Sequence, residues 1–144
     1  MREFETGATR DSDEGKLDYE GFLHPLAVEA FATYMHKHRK QADGRLRDSD
    51  NWQKGMPSEV YMKSLWRHFM DTWKRHRGHT TPESQIENLC AMWFNVQGLL
   101  VNQLMLQQAS FLAQNDPSSS FAYHDGLRQV GLYAPFESSP LERK

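Results

Sequence analysis

Apolar residues are scattered without period over the first 22 positions and then fall into helical stretches. The change comes at His24-Pro25, where proline suits a first helical turn because its missing N–H would have no partner there. Ala27, Ala30, Phe31, Tyr34 and Met35 follow on one face, and Lys37, His38, Arg39 and Lys40 place positive charge where the helix dipole favours it. A loop rich in Asp, Gly and Ser follows, "ADGRLRDSDNWQKGMP", with Trp52 embedded in it. A second helix is predicted from Ser58 to Gly78. In it Tyr61, Leu65, Phe69 and Trp73 form an i, i+4 row with Met62, Trp66 and Met70 beside it. Lys74, Arg75, His76 and Arg77 precede the glycine stop, as a dipole-complementing helix end or as a phosphate-facing patch.

Thr81-Pro82-Glu83 predicts the start of a third helix, with Thr81 as its N-cap. It should run to about Ala113, before "NDPSSS", a length of roughly 45 Å. That exceeds either partner helix, so Gly98 is expected to kink it or another subunit to bury its second half. The pattern predicts an all-α fold: a small antiparallel bundle of three main helices, completed by oligomerisation through the long third helix. An irregular N-terminal lead (1–22), the helical domain (23–113) and a C-terminal extension (114–144) divide the chain. The extension holds a short "YHDGLRQVGLY" segment and a Pro/Ser-containing tail.

One row on the third helix is polar. Asn88, Asn95 and Asn102 recur at seven-residue intervals, with Ala91 and Gly98 between them and an apolar stripe (Ile86, Leu89, Cys90, Trp93, Leu100) alongside. Two readings are open. The row is a solvent face or an interface where Ala and Gly permit close approach and Asn fixes register, or its amides line a polar cleft. On the second helix His68 and Asp71 are three apart and can point the same way. Facing Glu87 and Asn88 on the third, they would suit Mg²⁺ or Mn²⁺, although a histidine beside an apolar stripe is equally a hydrogen-bonded core residue.

Composition narrows this little. The 144 residues fit one domain, with 38% hydrophobic and 25% charged residues and four tryptophans supplying apolar area. A net charge of −2 gives no strong nucleic-acid signal. The single cysteine, Cys90, forms no internal disulfide. No apolar run was expected to span a membrane, and no signal peptide is evident at the N-terminus, so a cytoplasmic location is expected.

The stretches "TGATRDSDEGK" (6–16), "DNWQKGMP" (50–57) and "SLWRHFMDTW" (64–73), in that order, resemble the phage and bacterial family called dATP/dGTP diphosphohydrolase N-terminal domain. The resemblance covers roughly residues 4–100. It implies metal-dependent hydrolysis of purine deoxynucleoside triphosphates to monophosphate and pyrophosphate, in the host cytoplasm if the chain is phage-encoded. It also suggests kinship with MazG-like all-α pyrophosphohydrolases, whose helices carry a Glu-Glu-x-x-Glu run and a Glu-x-x-Asp. That acid-rich cage is absent here, where the second helix offers His68 and Asp71 and the third Glu87 with Asn88.

Under this resemblance the catalytic residues are His68, Asp71 and Glu87, with Asp71 and Glu87, joined by His68 or Asn95, holding Mg²⁺ or Mn²⁺ against the phosphates of a purine nucleotide. In the N-terminal lead, Thr6 and the amides around Gly7 would donate to phosphate, with Arg10 as a fork oriented by Asp11 and Lys16 as a point charge. Lys54 and Arg67 complete the clamp, unless Arg67 is an ordinary surface arginine. Trp52 either stacks on the base or anchors its loop. A non-catalytic nucleotide-binding domain and a structural helical module of a phage are the rival readings.

Overall fold

The computed structural model describes residues 1–116 and 118, and most of the C-terminal extension lies outside them. In chain order the elements are β1 (Arg2–Glu3), β2 (Thr9–Arg10), α1 (Tyr19–Phe22), α2 (Pro25–Lys37), a 3₁₀ turn (Asn51–Lys54), α3 (Ser58–His76) and α4 (Gln85–Asn115). The fold is all-α apart from one two-stranded ribbon.

The N-terminal lead is more ordered than its composition suggested. Arg2 pairs with Arg10 and Glu3 with Thr9, antiparallel. The turn between them needs Gly7, whose φ is 81°, and it closes with Gly7 N–H on the Phe4 carbonyl at 2.7 Å. Asp18 caps the single turn of α1 by accepting from the Gly21 N–H at 2.9 Å. All of residues 1–29 are nevertheless exposed.

α2 begins as its sequence predicts, with Pro25 in the first turn and the His24 ring accepting from the Leu26 N–H. α4 begins later than expected. Ser84 is its N-cap, in a capping box with Glu87. Thr81 is instead engaged by Arg75, which donates to its hydroxyl at 2.5 Å and its carbonyl at 3.0 Å. That tie bends the chain between α3 and α4, so Thr81-Pro82-Glu83 precedes the helix. α4 then runs as one helix through Gly98 to Asn115.

α3 lies antiparallel on α4, with Ser58 near Asn102, Tyr61 on Gly98 and His68 by Asn88. α2 packs on the other flank of α4, where Phe31 stacks on Trp93 with ring centroids 4.6 Å apart. The seam between α3 and α4 is the polar row. Asn88, Asn95 and Asn102 are buried together with Ala91 and Gly98, while Tyr61 is the large apolar residue buried with them. The row is therefore an interface within the chain and neither a solvent face nor a ligand cleft. Each amide has a partner: Asn95 donates to the Ala91 carbonyl at 2.7 Å, and Asn102 to the Met56 carbonyl at 2.9 Å and Ser58 Oγ at 3.0 Å.

The predicted apolar row of the second helix divides. Tyr61 is buried and Leu65 half-buried, whereas Phe69 and Trp73 are exposed. Positions four apart drift about 40° per step around a helix of 3.6 residues per turn, so a row of four leaves the face on which it starts. α4 is also long and apolar enough, by length and composition, to cross a membrane, contrary to the expectation from sequence.

Candidate functional site

A cavity of about 450 Å³ opens where the C-terminal end of α2, the following loop and the 3₁₀ turn meet α4. Its volume falls in the usual range for small-molecule sites, roughly 300–1,000 Å³. Its position follows from local pairing. After α2 the chain doubles back, with Arg47 N–H on the Arg39 carbonyl at 2.9 Å and Arg39 Nε donating to the Arg47 carbonyl at 2.7 Å. This return brings Arg39 and Arg47 side by side at the cavity wall.

The chain next winds into the 3₁₀ turn and leaves it through Gly55 at φ 89°. Asn102 of α4 holds the far end of that loop through the Met56 carbonyl. Trp52 meets Phe94 edge-to-face at 6.0 Å, and Phe94 in turn meets Tyr61 at 5.8 Å. Trp52 thus anchors its loop to α4 and also lines the cavity. Lys54, on the same turn, donates to Asn51 Oδ1 at 3.2 Å.

The wall is aromatic and cationic at once. Tyr34, Trp52 and Phe94 supply the rings, and Arg39, Arg47 and Lys54 the positive charges, with His38 beside them. Asp48 is the one carboxylate among the lining residues. Burial above all, aided by the nearby Glu83, Cys90 and Glu87, pushes the Tyr34 phenol up to about 12, so it remains a neutral donor. Flat apolar surface beside fixed cations is the chemistry that takes a nucleobase and its phosphates.

Of the residues singled out in the sequence, Trp52 and Lys54 are at this cavity. Thr6, Gly7, Arg10, Asp11 and Lys16 are on the exposed N-terminal lead and line none of its wall. Asn95 is enclosed in the α3–α4 seam, with its amide donating to the helix backbone. Arg67 and Asp71 share a shallow depression on the outer side of α3 with Trp66, Met70 and Lys74.

His68, Asp71 and Glu87 have separate engagements. His68 Nδ1 is 3.1 Å from Asn88 Oδ1 and 3.3 Å from Glu83 Oε2, two acceptors for one ring proton. Asp71 pairs with Lys74 at 3.0 Å. Glu87 is bound at 2.5 Å by Lys37 of α2 and completes the α4 cap. Lys37 first, and then the Ser84 backbone and hydroxyl, hold its carboxyl down at about 2. Among the described residues no three His, Cys, Asp or Glu side chains gather as metal ligands. Asp71 and Glu87 therefore do not fit a shared Mg²⁺ or Mn²⁺ in this arrangement.

Arg39, Arg47, Tyr34 and Phe94 also line the cavity and are not among the sequence-predicted site residues. A signal was present in part: the basic residues at 37–40 and 45–47 flank the Trp52 loop on its N-terminal side. The first of these runs also suits the C-terminal end of a helix dipole, and the backbone pairing of Arg39 with Arg47 has no local sequence mark.

The family described as dATP/dGTP diphosphohydrolase, N-terminal, matches residues 6–110 of the chain. No curated protein and no solved structure matches it.

Proposed function

This chain belongs to the dATP/dGTP diphosphohydrolase N-terminal family, and we propose that it binds purine deoxynucleoside triphosphates and takes part in their hydrolysis to monophosphate and pyrophosphate. One observation carries the reading. The "DNWQKGMP" loop, among the stretches that resemble the family, forms a wall of the aromatic and cationic cavity. In this reading the base lies against Trp52, at the Trp52–Phe94 edge, and the phosphates lie toward Arg39, Arg47 and Lys54. The Tyr34 hydroxyl, protonated throughout the neutral range, serves as a hydrogen-bond donor at the same wall.

No step is assigned to a divalent ion, because Asp71 and Glu87 each have a lysine partner and are not gathered with other ligands. The same observation favours a second reading, in which this chain binds the nucleotide and the hydrolytic groups lie elsewhere. ³¹P NMR of the full chain with dGTP and then dATP, with and without Mg²⁺, separates the two. Pyrophosphate and monophosphate are the expected products. Intact triphosphate with shifted signals supports the binding-only reading, and unshifted signals overturn both.

A further inference from the structure

The outward side of α3 carries positive charge and aromatic rings together. Tyr61, His68 and Thr72 mark the side turned to α4. At about 100° per residue, Lys63, Arg67, Lys74 and the C-cap Arg77 fall within an arc of about 80° on the opposite side and span about 21 Å of its length. Trp66 and Trp73 border this arc, 59% and 49% exposed. Ring and charge meet directly, because Trp66, Arg67, Asp71 and Lys74 surround one shallow depression. Lys63, Arg67 and Arg77 have no side-chain partner among the described residues, whereas Lys74 is tied to Asp71.

The net charge of −2 hides this distribution. Residues 35–80 hold eleven of the seventeen lysines and arginines and five of the nineteen acids. Lys74 and Arg77 complement the dipole at the C-terminal end of α3. Lys63 and Arg67 stand more than two turns before that end, outside the dipole's reach, and the fold makes no use of two exposed indoles.

We propose that this side of α3 binds single-stranded nucleic acid, with phosphates on the line of cations and bases on Trp66 and Trp73. Charge complementarity calls for a polyanion, since three of the four cations are unpaired. The carboxylates on this side are Asp71, held by Lys74, and Glu59 in the first turn of the helix. The indoles select the kind of polyanion. A single strand offers unpaired base faces to stack on them, a duplex keeps its base faces inside, and an acidic peptide has none. The two tryptophans are seven residues apart, about 10.5 Å along the axis, so each takes a separate base. One nucleotide would meet one ring and few of the cations, whereas a strand engages them all at once. Trp52 packs on α4 while Trp66 and Trp73 turn away from it, so the proposal stands apart from the nucleotide reading.

Fluorescence anisotropy of fluorescein-labelled oligo(dT) and oligo(rU) of about 20 nucleotides, with the full chain, tests it, and the two probes separate DNA from RNA. Saturable micromolar binding at about 50 mM salt is expected, with a log–log salt slope of about −3 for four phosphate contacts. Arg67→Glu should weaken binding about tenfold or more, and Trp73→Ala roughly 5- to 100-fold, with helical circular dichroism unchanged. If either variant loses helix, Lys63→Ala supplies the test by flattening the salt slope by about 0.7. The Trp66 and Trp73 indole N–H signals should move in ¹H–¹⁵N spectra while that of Trp52 stays. Absence of saturable binding overturns the proposal, as does affinity that these variants leave unaltered. Equal affinity for a duplex or for polyglutamate, or a strand that moves Trp52 and is displaced by dGTP, overturns it as well.

Discussion

Gly98 of α4 lies directly beneath the ring of Tyr61 of α3, so that a Cβ at position 98 would fall inside the envelope of the Tyr61 Cε1 and Cζ atoms. The two helices approach this closely because Ala91 and Gly98 leave room, and Tyr61 fills it as the largest buried apolar side chain. Gly98→Ala gains about 1 kcal/mol of helix propensity but forces Tyr61 or the helix to move. Overpacking typically costs about 1–3 kcal/mol, and a buried ring has little freedom to yield. A net loss of stability in urea denaturation is expected, partly restored by Tyr61→Leu in the same chain. A stabilised Gly98→Ala variant would contradict the close approach.

Stability should fall in acid through Glu87. Its carboxyl is held at about 2 against an ordinary 4.5, with Lys37 as the principal cause. A carboxylate whose folded value is depressed stabilises fully above the unfolded value, and the contribution is lost as pH falls from about 4.5 toward 2. Lys37 is shifted up by the same pair, so its share is present below 10.5 and lost as pH rises beyond it. Thermal melts of Glu87→Gln from pH 2 to 7 should show a flatter acid limb than wild type.

Asn102 ties the Trp52 loop to α4. Its amide donates to the Met56 carbonyl and to Ser58 Oγ. Asn102→Leu removes both donations in a buried place, with an expected cost of about 1–3 kcal/mol. Hydrogen exchange should report faster exchange across residues 51–56, and nucleotide affinity should fall although Asn102 does not line the cavity.

The three long helices were legible in the sequence because proline starts, basic ends and glycine stops are local signals. The start of α4 was not, since Thr81 has the right type for a cap and only the distant Arg75 diverts it to another role. The Asn row was legible as a stripe, and its burial was not. The row is buried because α3 and the chain before it cover it: His68 meets Asn88, Tyr61 covers Gly98, and Met56 and Ser58 accept from Asn102. At the site, Trp52 and Lys54 could be picked out from one motif. Arg39 and Arg47 join them through a backbone return that no composition encodes.

Trp52→Ala should weaken dGTP binding by roughly 5- to 100-fold, the range expected for one base–aromatic contact. Arg47→Ala and Lys54→Ala should each cost on the order of tenfold and reduce the dependence of affinity on salt, because each removes a phosphate partner. Isothermal titration at two ionic strengths measures both effects. Arg67→Ala, on the outer side of α3, should leave affinity unchanged.

The claim that the cavity takes the nucleotide is tested most directly by ¹H–¹⁵N NMR of the full chain during a dGTP titration. The chain has four indole N–H signals, from Trp52, Trp66, Trp73 and Trp93. The Trp52 indole and the amides of residues 47–56 should shift together and saturate, while the Trp66 and Trp73 indoles on the outer face of α3 stay in place. Saturating shifts elsewhere with Trp52 unmoved, or no shift at millimolar dGTP, would contradict the account.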